Sequence, residues 1–170
     1  MIRKIFLVGF MGSGKSTFGK KLAKAMHFPF IDLDKEIEKK AKCSVHDIFK
    51  YLGEETFRKM ESETLKSFEH EASFVMATGG GTPCYFDNLP YIQSQGTSIY
   101  LELDIKSLYN RLSKAKNIRP TIKGKKEDEL LNFIEEHFAK RKHIYEQADH
   151  RVNGLNLEVE SVIELLLSHK

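Results

Sequence analysis

One stretch near the start of the chain constrains its fold more than any other. Gly9 to Thr17 reads Gly-Phe-Met-Gly-Ser-Gly-Lys-Ser-Thr and fits the phosphate-loop pattern G-x-x-x-x-G-K-[ST], with Gly9, Gly14, Lys15 and Ser16 at the required positions. Upstream, Lys4 to Val8 is a short apolar run with the composition of a buried parallel strand. Downstream, Thr17 to His27 places Phe18, Leu22, Ala25 and Met26 at helical spacing. Strand, loop and helix in this order form an anion cradle. Glycines let backbone N–H groups curl around a phosphate, and the helix N-terminus adds partial positive charge. Lys15 is then expected to reach the β- and γ-phosphates, and the Ser16 hydroxyl to ligate Mg²⁺.

The rest of the chain has to supply one domain around that loop. At 170 residues and 41% hydrophobic content it can build a sizeable single core. A net charge of +3 is too mild to point to nucleic acid, and the basic run Lys123 to Lys126 is followed at once by Glu127 and Asp128. Cys43 and Cys84 form no metal or redox spacing and fit a reducing compartment. No apolar run approaches a membrane span, and the first strand begins too early for a signal peptide. The expectation is a cytoplasmic, monomeric protein with no nucleic-acid or membrane partner.

Strand-like and helix-like stretches alternate, which predicts α/β architecture with a parallel sheet. Strands are expected at Phe28 to Asp34, Ser73 to Thr78, Ser98 to Leu103 and His150 to Asn153. Helices are expected at Lys35 to Lys42, after a capping-box-like start at Ser44 to Asp47, at Glu54 to Glu71, after Asp104, at Glu127 to Ala148 and at Leu157 to Ser168. Lys114 to Lys126 is the longest polar segment punctuated by Pro and Gly, a candidate mobile lid. In such a sheet ligands bind at the carboxyl ends of the strands. The phosphate loop, Asp32 with Asp34, and Gly79-Gly80-Gly81 all fall there.

A phosphate loop alone fits a transferase or a nucleotide-dependent switch equally well. Asp32 and Asp34, expected on one face of a strand, offer Mg²⁺ a hard oxygen and an acceptor hydroxyl a base, in that order. The plainer alternative has Asp34 capping the next helix. Asp104, which closes the apolar run Ile99 to Leu103, is the competing metal candidate but is read mainly as a helix cap. Arg141 falls on the apolar stripe Leu131, Ile134, Phe138, Tyr145, so its guanidinium must meet an anion, either a structural carboxylate or a bound one. By pattern alone Arg58 is an exposed partner of Glu54 or Glu61, and Arg111 a surface residue. Three consecutive glycines after a strand suggest close approach of backbone to a ligand. Arg119, in the candidate lid, either closes on a transferring phosphoryl group or is a solvated loop arginine.

Taken together the chain resembles shikimate kinase along essentially its whole length. The resemblance rests on Gly9 to Thr17, Ile31 to Asp34, Ile48-Phe49 with Gly53-Glu54, Phe57-Arg58 with Glu61, Thr78 to Gly81 with Asn88, Arg111-Leu112, Arg119-Pro120, and Arg141 with Tyr145 and Ala148. It implies a phosphate-loop, three-layer α/β/α fold of nucleoside-monophosphate-kinase type with a five-stranded parallel sheet and a mobile lid at about 114–126, the whole of 1–170 forming one domain. It also implies transfer of phosphate from ATP, with Mg²⁺, to the 3-hydroxyl of shikimate. Within that resemblance Gly12, Ser13, Gly14, Lys15, Ser16 and Thr17 hold the nucleotide, Ser16 and Asp32 the metal, and Lys15, Asp34 and Arg119 serve the transfer. Arg58 and Arg141 grip the substrate carboxylate, Gly80 and Gly81 contact the substrate, and Phe49, Phe57 and Glu61 shape its pocket. Arg111 lies beside the adenine. A kinase for another small hydroxylated acceptor such as gluconate, or a non-transferase switch, are the competing readings. The chain departs from the family's pattern at Thr121-Ile122, at Thr82-Pro83-Cys84, and around Val152 to Asn156, where no basic residue matches the family's late adenine contact.

Overall fold

The computed structural model describes residues 3–115 and 126–168. Five parallel strands form one sheet: β1 (Lys4–Val8), β2 (Phe30–Asp32), β3 (Phe74–Ala77), β4 (Thr97–Glu102) and β5 (His150–Asn153), in the order β2-β3-β1-β4-β5. β1 lies at the centre, with Leu7 opposite Ala77 on one side and Ile99 on the other.

The helices are α1 (Lys15–Met26), α2 (Leu33–Ala41), α3 (Val45–Asp47), α4 (Gly53–Lys66), α5 (Asn88–Gln95), α6 (Ile105–Ser113), α7 (Glu127–Tyr145) and α8 (Val159–Ser168). A π-helical turn at Ile48–Leu52 joins α3 to α4, and a 3-10 turn spans Thr82–Cys84. Side chains alternate across a strand, so β1 serves two cores. Ile5 and Leu7 face α1 and α8 with Phe18, Leu22 and Val162, whereas Phe6 and Val8 join Leu33, Ile37, Leu65, Ile134 and Tyr145. Burial on both faces is why the run reads as continuously apolar, and it makes three layers.

Several expectations need correcting. The second strand stops at Asp32 and α2 begins at Leu33, because Asp32 accepts a bond from the Lys35 amide at 3.4 Å and so caps the helix. Asp34 therefore stands in the first turn of α2, not on the strand, and the cap is Asp32. The predicted capping-box-like start exists, with Ser44 Oγ accepting from the Asp47 amide at 3.1 Å. Its helix, however, passes through the π turn, and Gly53, at φ 81°, opens α4. α4 ends at Lys66 rather than Glu71. α5 has no counterpart in the prediction; Pro90 and a weakly amphipathic sequence hide it. On α7 the buried stripe runs through Leu130 rather than Leu131, which is half-buried, before continuing through Ile134, Phe138 and Tyr145.

Candidate functional site

Two cavities open at the carboxyl ends of the central strands. The smaller, about 180 Å³, is lined by Gly12, Gly14, Lys15, Ser16, Thr17, Asp32, Asp34 and Thr78. Its wall is the loop between β1 and α1. Gly14 caps α1 at φ 97°, a left-handed conformation that strains any residue with a Cβ. Lys15 is buried and folds back, its Nζ donating to the Gly9 carbonyl at 2.7 Å and the Phe10 carbonyl at 2.9 Å. Buried Ser13 closes the turn, its amide bonded to the Phe10 carbonyl. Exposed Arg111, from the end of α6, braces the loop from outside: it donates to the Ser13 carbonyl at 3.1 Å and to the Gly154 carbonyl beyond β5 at 3.1 Å. The surface position read from pattern is thus correct, and the side chain ties two loops together.

The Ser16 hydroxyl donates to Asp32 Oδ2 at 2.7 Å. Among the described residues no group of three His, Cys, Asp or Glu side chains could hold a metal ion. One hydroxyl and one carboxylate on a phosphate cavity is a hard-oxygen donor set that suits Mg²⁺, which keeps several waters and takes phosphate oxygens. Asp104, the competing metal candidate, is a helix cap, accepting from the Ser107 amide at 2.8 Å.

The larger cavity, about 360 Å³, is lined by Asp34, Phe49, Phe57, Arg58, Glu61, Gly79, Gly80, Gly81 and Arg141, together with Met11, His46, Lys50, Glu54, Phe133 and His137 among others. Asp34 lines both cavities. Arg58 is only 7% exposed, so the exposed pair expected from its helical spacing is instead a buried one. Its Nη1 donates to Glu61 Oε2 at 2.9 Å, and its Nε and Nη2 reach Glu54 Oε1 at 3.2 and 3.1 Å. The guanidinium lies 4.1 Å from the Tyr85 ring centre and 5.1 Å from that of Phe57, which packs on Phe49 with centroids 4.5 Å apart. Tyr85 and Thr82, neither foreseen, finish the clamp. The Tyr85 hydroxyl donates to Glu54 at 2.9 Å and the Thr82 hydroxyl to Glu61 Oε1 at 2.6 Å.

Burial pushes the Glu61 carboxyl above its ordinary value, and the Arg58 charge and Thr82 hydroxyl pull against that without cancelling it. Burial works most strongly against the Arg58 charge, but Glu61, Tyr85 and Glu54 together outweigh it and the guanidinium stays firmly protonated. This electrostatic knot explains Gly79 and Gly81, while Gly80 lies against the Met11 backbone amide. None of the three needs a left-handed φ. A Cβ on Gly81 would meet Arg58 Nη1 at 2.6 Å, and one on Gly79 would meet Glu61 Oε1 at 2.7 Å. The run is buried, and close approach to Gly79 and Gly81 is made by the protein's own side chains.

Arg141, half-buried on α7, lines the same cavity, its guanidinium 6.0 Å from the Phe10 ring centre. The Tyr145 hydroxyl donates to the Gly80 carbonyl, and burial first of all drives its pKa up. Among the described residues no carboxylate pairs with Arg141, so of the two anions open to it, the structural salt bridge is not the one found. Phe133 and His137 stand two turns and one turn before Arg141, a spacing that was legible but not used. Arg119 and the core of the candidate lid lie outside the described residues.

A shikimate kinase family model matches residues 11–169. The shikimate kinase of Bacteroides fragilis is 46% identical over 164 residues, covering 96% of this chain and 91% of its own length. A crystal structure of shikimate kinase from Bacteroides thetaiotaomicron superposes with a TM-score of 0.91 at 37% identity, covering 99% of this chain and 98% of the other. The Acinetobacter baumannii shikimate kinase in complex with shikimate has a TM-score of 0.88 at 29% identity, covering 100% of this chain and 96% of that one.

Proposed function

This chain belongs to the shikimate kinase family, and on that premise we propose that it transfers the γ-phosphoryl group of ATP to the 3-hydroxyl of shikimate, giving ADP and shikimate 3-phosphate. One observation carries the reading: Asp34 lines both the phosphate cavity and the larger cavity with its two arginines. A carboxylate at that junction is where an acceptor hydroxyl and a donor phosphate would meet.

In this reading the ATP phosphates lie in the loop Gly12 to Thr17, with the Lys15 ammonium available to them. Arg58 and Arg141 hold the substrate carboxylate from opposite walls, and the backbone at Gly80 and Gly81 contacts the ring. Phe49, Phe57 and Glu61 shape the pocket, Glu61 by keeping Arg58 aimed. Asp34 orients the attacking hydroxyl and accepts its proton, a modest contribution because the loose transition state asks little of a base. Ser16 and Asp32 would hold Mg²⁺, which would supply neutralising charge to the nucleotide phosphates. Arg119 is assigned to neutralise charge on the transferring phosphoryl group, and Arg111 borders the adenine. Most of the catalysis is then positioning and charge neutralisation.

The same reading takes residues 1–170 as one domain working as a monomer in the cytoplasm. Consistent with that, among the described residues no helix is long and apolar enough to cross a membrane. The test is ADP release measured side by side with shikimate, gluconate, AMP and no acceptor, and repeated for Arg141→Ala. Shikimate-dependent turnover is expected, with the variant weakening shikimate binding and leaving ATP binding nearly intact. Acceptor-independent turnover would favour a nucleotide switch, and equal loss of both ligands would defeat the carboxylate grip.

A further inference from the structure

One wall of the larger cavity is a single helix face. Phe133, His137 and Arg141 follow one another at four-residue intervals on α7, and all three line the cavity. The imidazole of His137 stacks on the Phe133 ring, with centroids 4.2 Å apart and planes tilted by 35°. That stack constrains the plane of the imidazole, and His137 lines the cavity half-buried. Among the described residues neither nitrogen is hydrogen-bonded to another side chain.

We propose that His137 is a specificity-determining residue of this cavity, hydrogen-bonding the carboxylate end of the acceptor beside Arg141; the inference rests on the assignment of that cavity to shikimate. Helix geometry supports it, because residues four apart on one face present their side chains to the same patch. An imidazole N–H can donate a hydrogen bond to a carboxylate oxygen in either protonation state, and the bond is charge-assisted on both sides once the ring is protonated.

The charges around His137 agree with a neutral ring in the free protein. On α7 these are Glu136, Lys140 and Arg141. Across the cavity stand Glu54, Arg58 and Glu61 from α4, His46 from α3, Lys50 from the π turn and Asp34 from α2. Burial, then the Arg141 charge, hold the His137 pKa below its ordinary 6.5, with Glu136 and Glu54 opposing. A bound carboxylate reverses that balance by favouring the protonated ring. Acceptor affinity should therefore rise as the pH falls from 8 to 6, and shikimate should raise the His137 pKa by the linked amount.

The experiment compares the full chain with His137→Phe, which keeps the stack, and His137→Gln, which keeps a donor. In steady-state kinetics His137→Phe should raise the shikimate KM about ten- to a hundredfold, the size of one hydrogen bond to a charged group, with kcat and the ATP KM within about twofold. His137→Gln should recover most of the loss at pH 8 but lack the tightening toward pH 6. The other titrating groups of the cavity are present in both proteins, so the difference between the two pH profiles isolates His137. An imidazole NMR titration of the unsubstituted protein, with and without shikimate, gives the same answer without any variant. A His137→Phe shikimate KM within twofold of the parent, or an unmoved imidazole pKa, overturns the inference while shikimate turnover persists. A parent protein with no shikimate-dependent turnover defeats the proposed function itself.

Discussion

Removing the Arg58 charge while keeping its bulk, as in Arg58→Met, isolates the buried half of the clamp. Of its two carboxylate partners, the Glu54 side chain is 53% exposed and can return to water, whereas that of Glu61 is 0% exposed and cannot. Left without its cation, Glu61 takes up a proton. At pH 7 this costs at most about 1.36 kcal/mol for each pH unit above its ordinary 4.5, or about 3.4 kcal/mol; at pH 5 the ceiling falls to about 0.7 kcal/mol. Loss of the guanidinium from the Tyr85 face adds about 1 kcal/mol at either pH. The sign follows from proton counts. In the variant the native state holds a proton that the unfolded state releases above pH 4.5, so the variant loses stability as pH rises. Urea unfolding followed by circular dichroism should show a deficit of about 2–4 kcal/mol at pH 7 and no more than about 1.7 kcal/mol at pH 5. Arg141→Met, which strands no described carboxylate, should stay within about 1 kcal/mol at both. A deficit that is independent of pH, or larger at pH 5, would refute the reasoning, as would equal losses in the two variants.

Gly81→Ala places a methyl group 2.6 Å from Arg58 Nη1 and must displace the guanidinium. The shikimate KM should rise at least about tenfold and stability should fall by about 1–3 kcal/mol, both measured on the same preparation. Arg111→Ala removes the strut between the Ser13 and Gly154 carbonyls, so isothermal titration should show weaker ATP binding, by about three- to tenfold, with shikimate binding unchanged. Equal weakening of both ligands would show that the strut holds the whole cleft rather than the nucleotide end.

Much of the sheet was legible because each central strand is buried on both faces and therefore reads as an unbroken apolar run. Element ends were less legible. β2 stops at Asp32 because a side chain two residues inside the predicted strand caps the next helix, a competition between local hydrogen bonds that periodicity does not record. α5 was missed because its eight residues carry a proline and little amphipathic contrast. In the candidate site the loop Gly9 to Thr17 was legible as a local motif. Tyr85 and Thr82 were not, since each acts on a residue more than twenty positions away.

By itself the sequence determined the parts whose chemistry is local. A phosphate loop needs its glycines, lysine and serine within one turn of each other, and the order of strands and helices around it admits few topologies. The roles of the two arginines were a different matter. By pattern Arg58 reads as an exposed partner of nearby glutamates and Arg141 as the arginine on an apolar helix stripe. The tertiary structure buries one between Glu54, Glu61 and Tyr85, and turns the other toward the cavity with no described carboxylate beside it. Burial and charge pairing depend on neighbours brought from distant parts of the chain, so only the folded arrangement separates the arginine that holds the clamp from the one left facing the cavity.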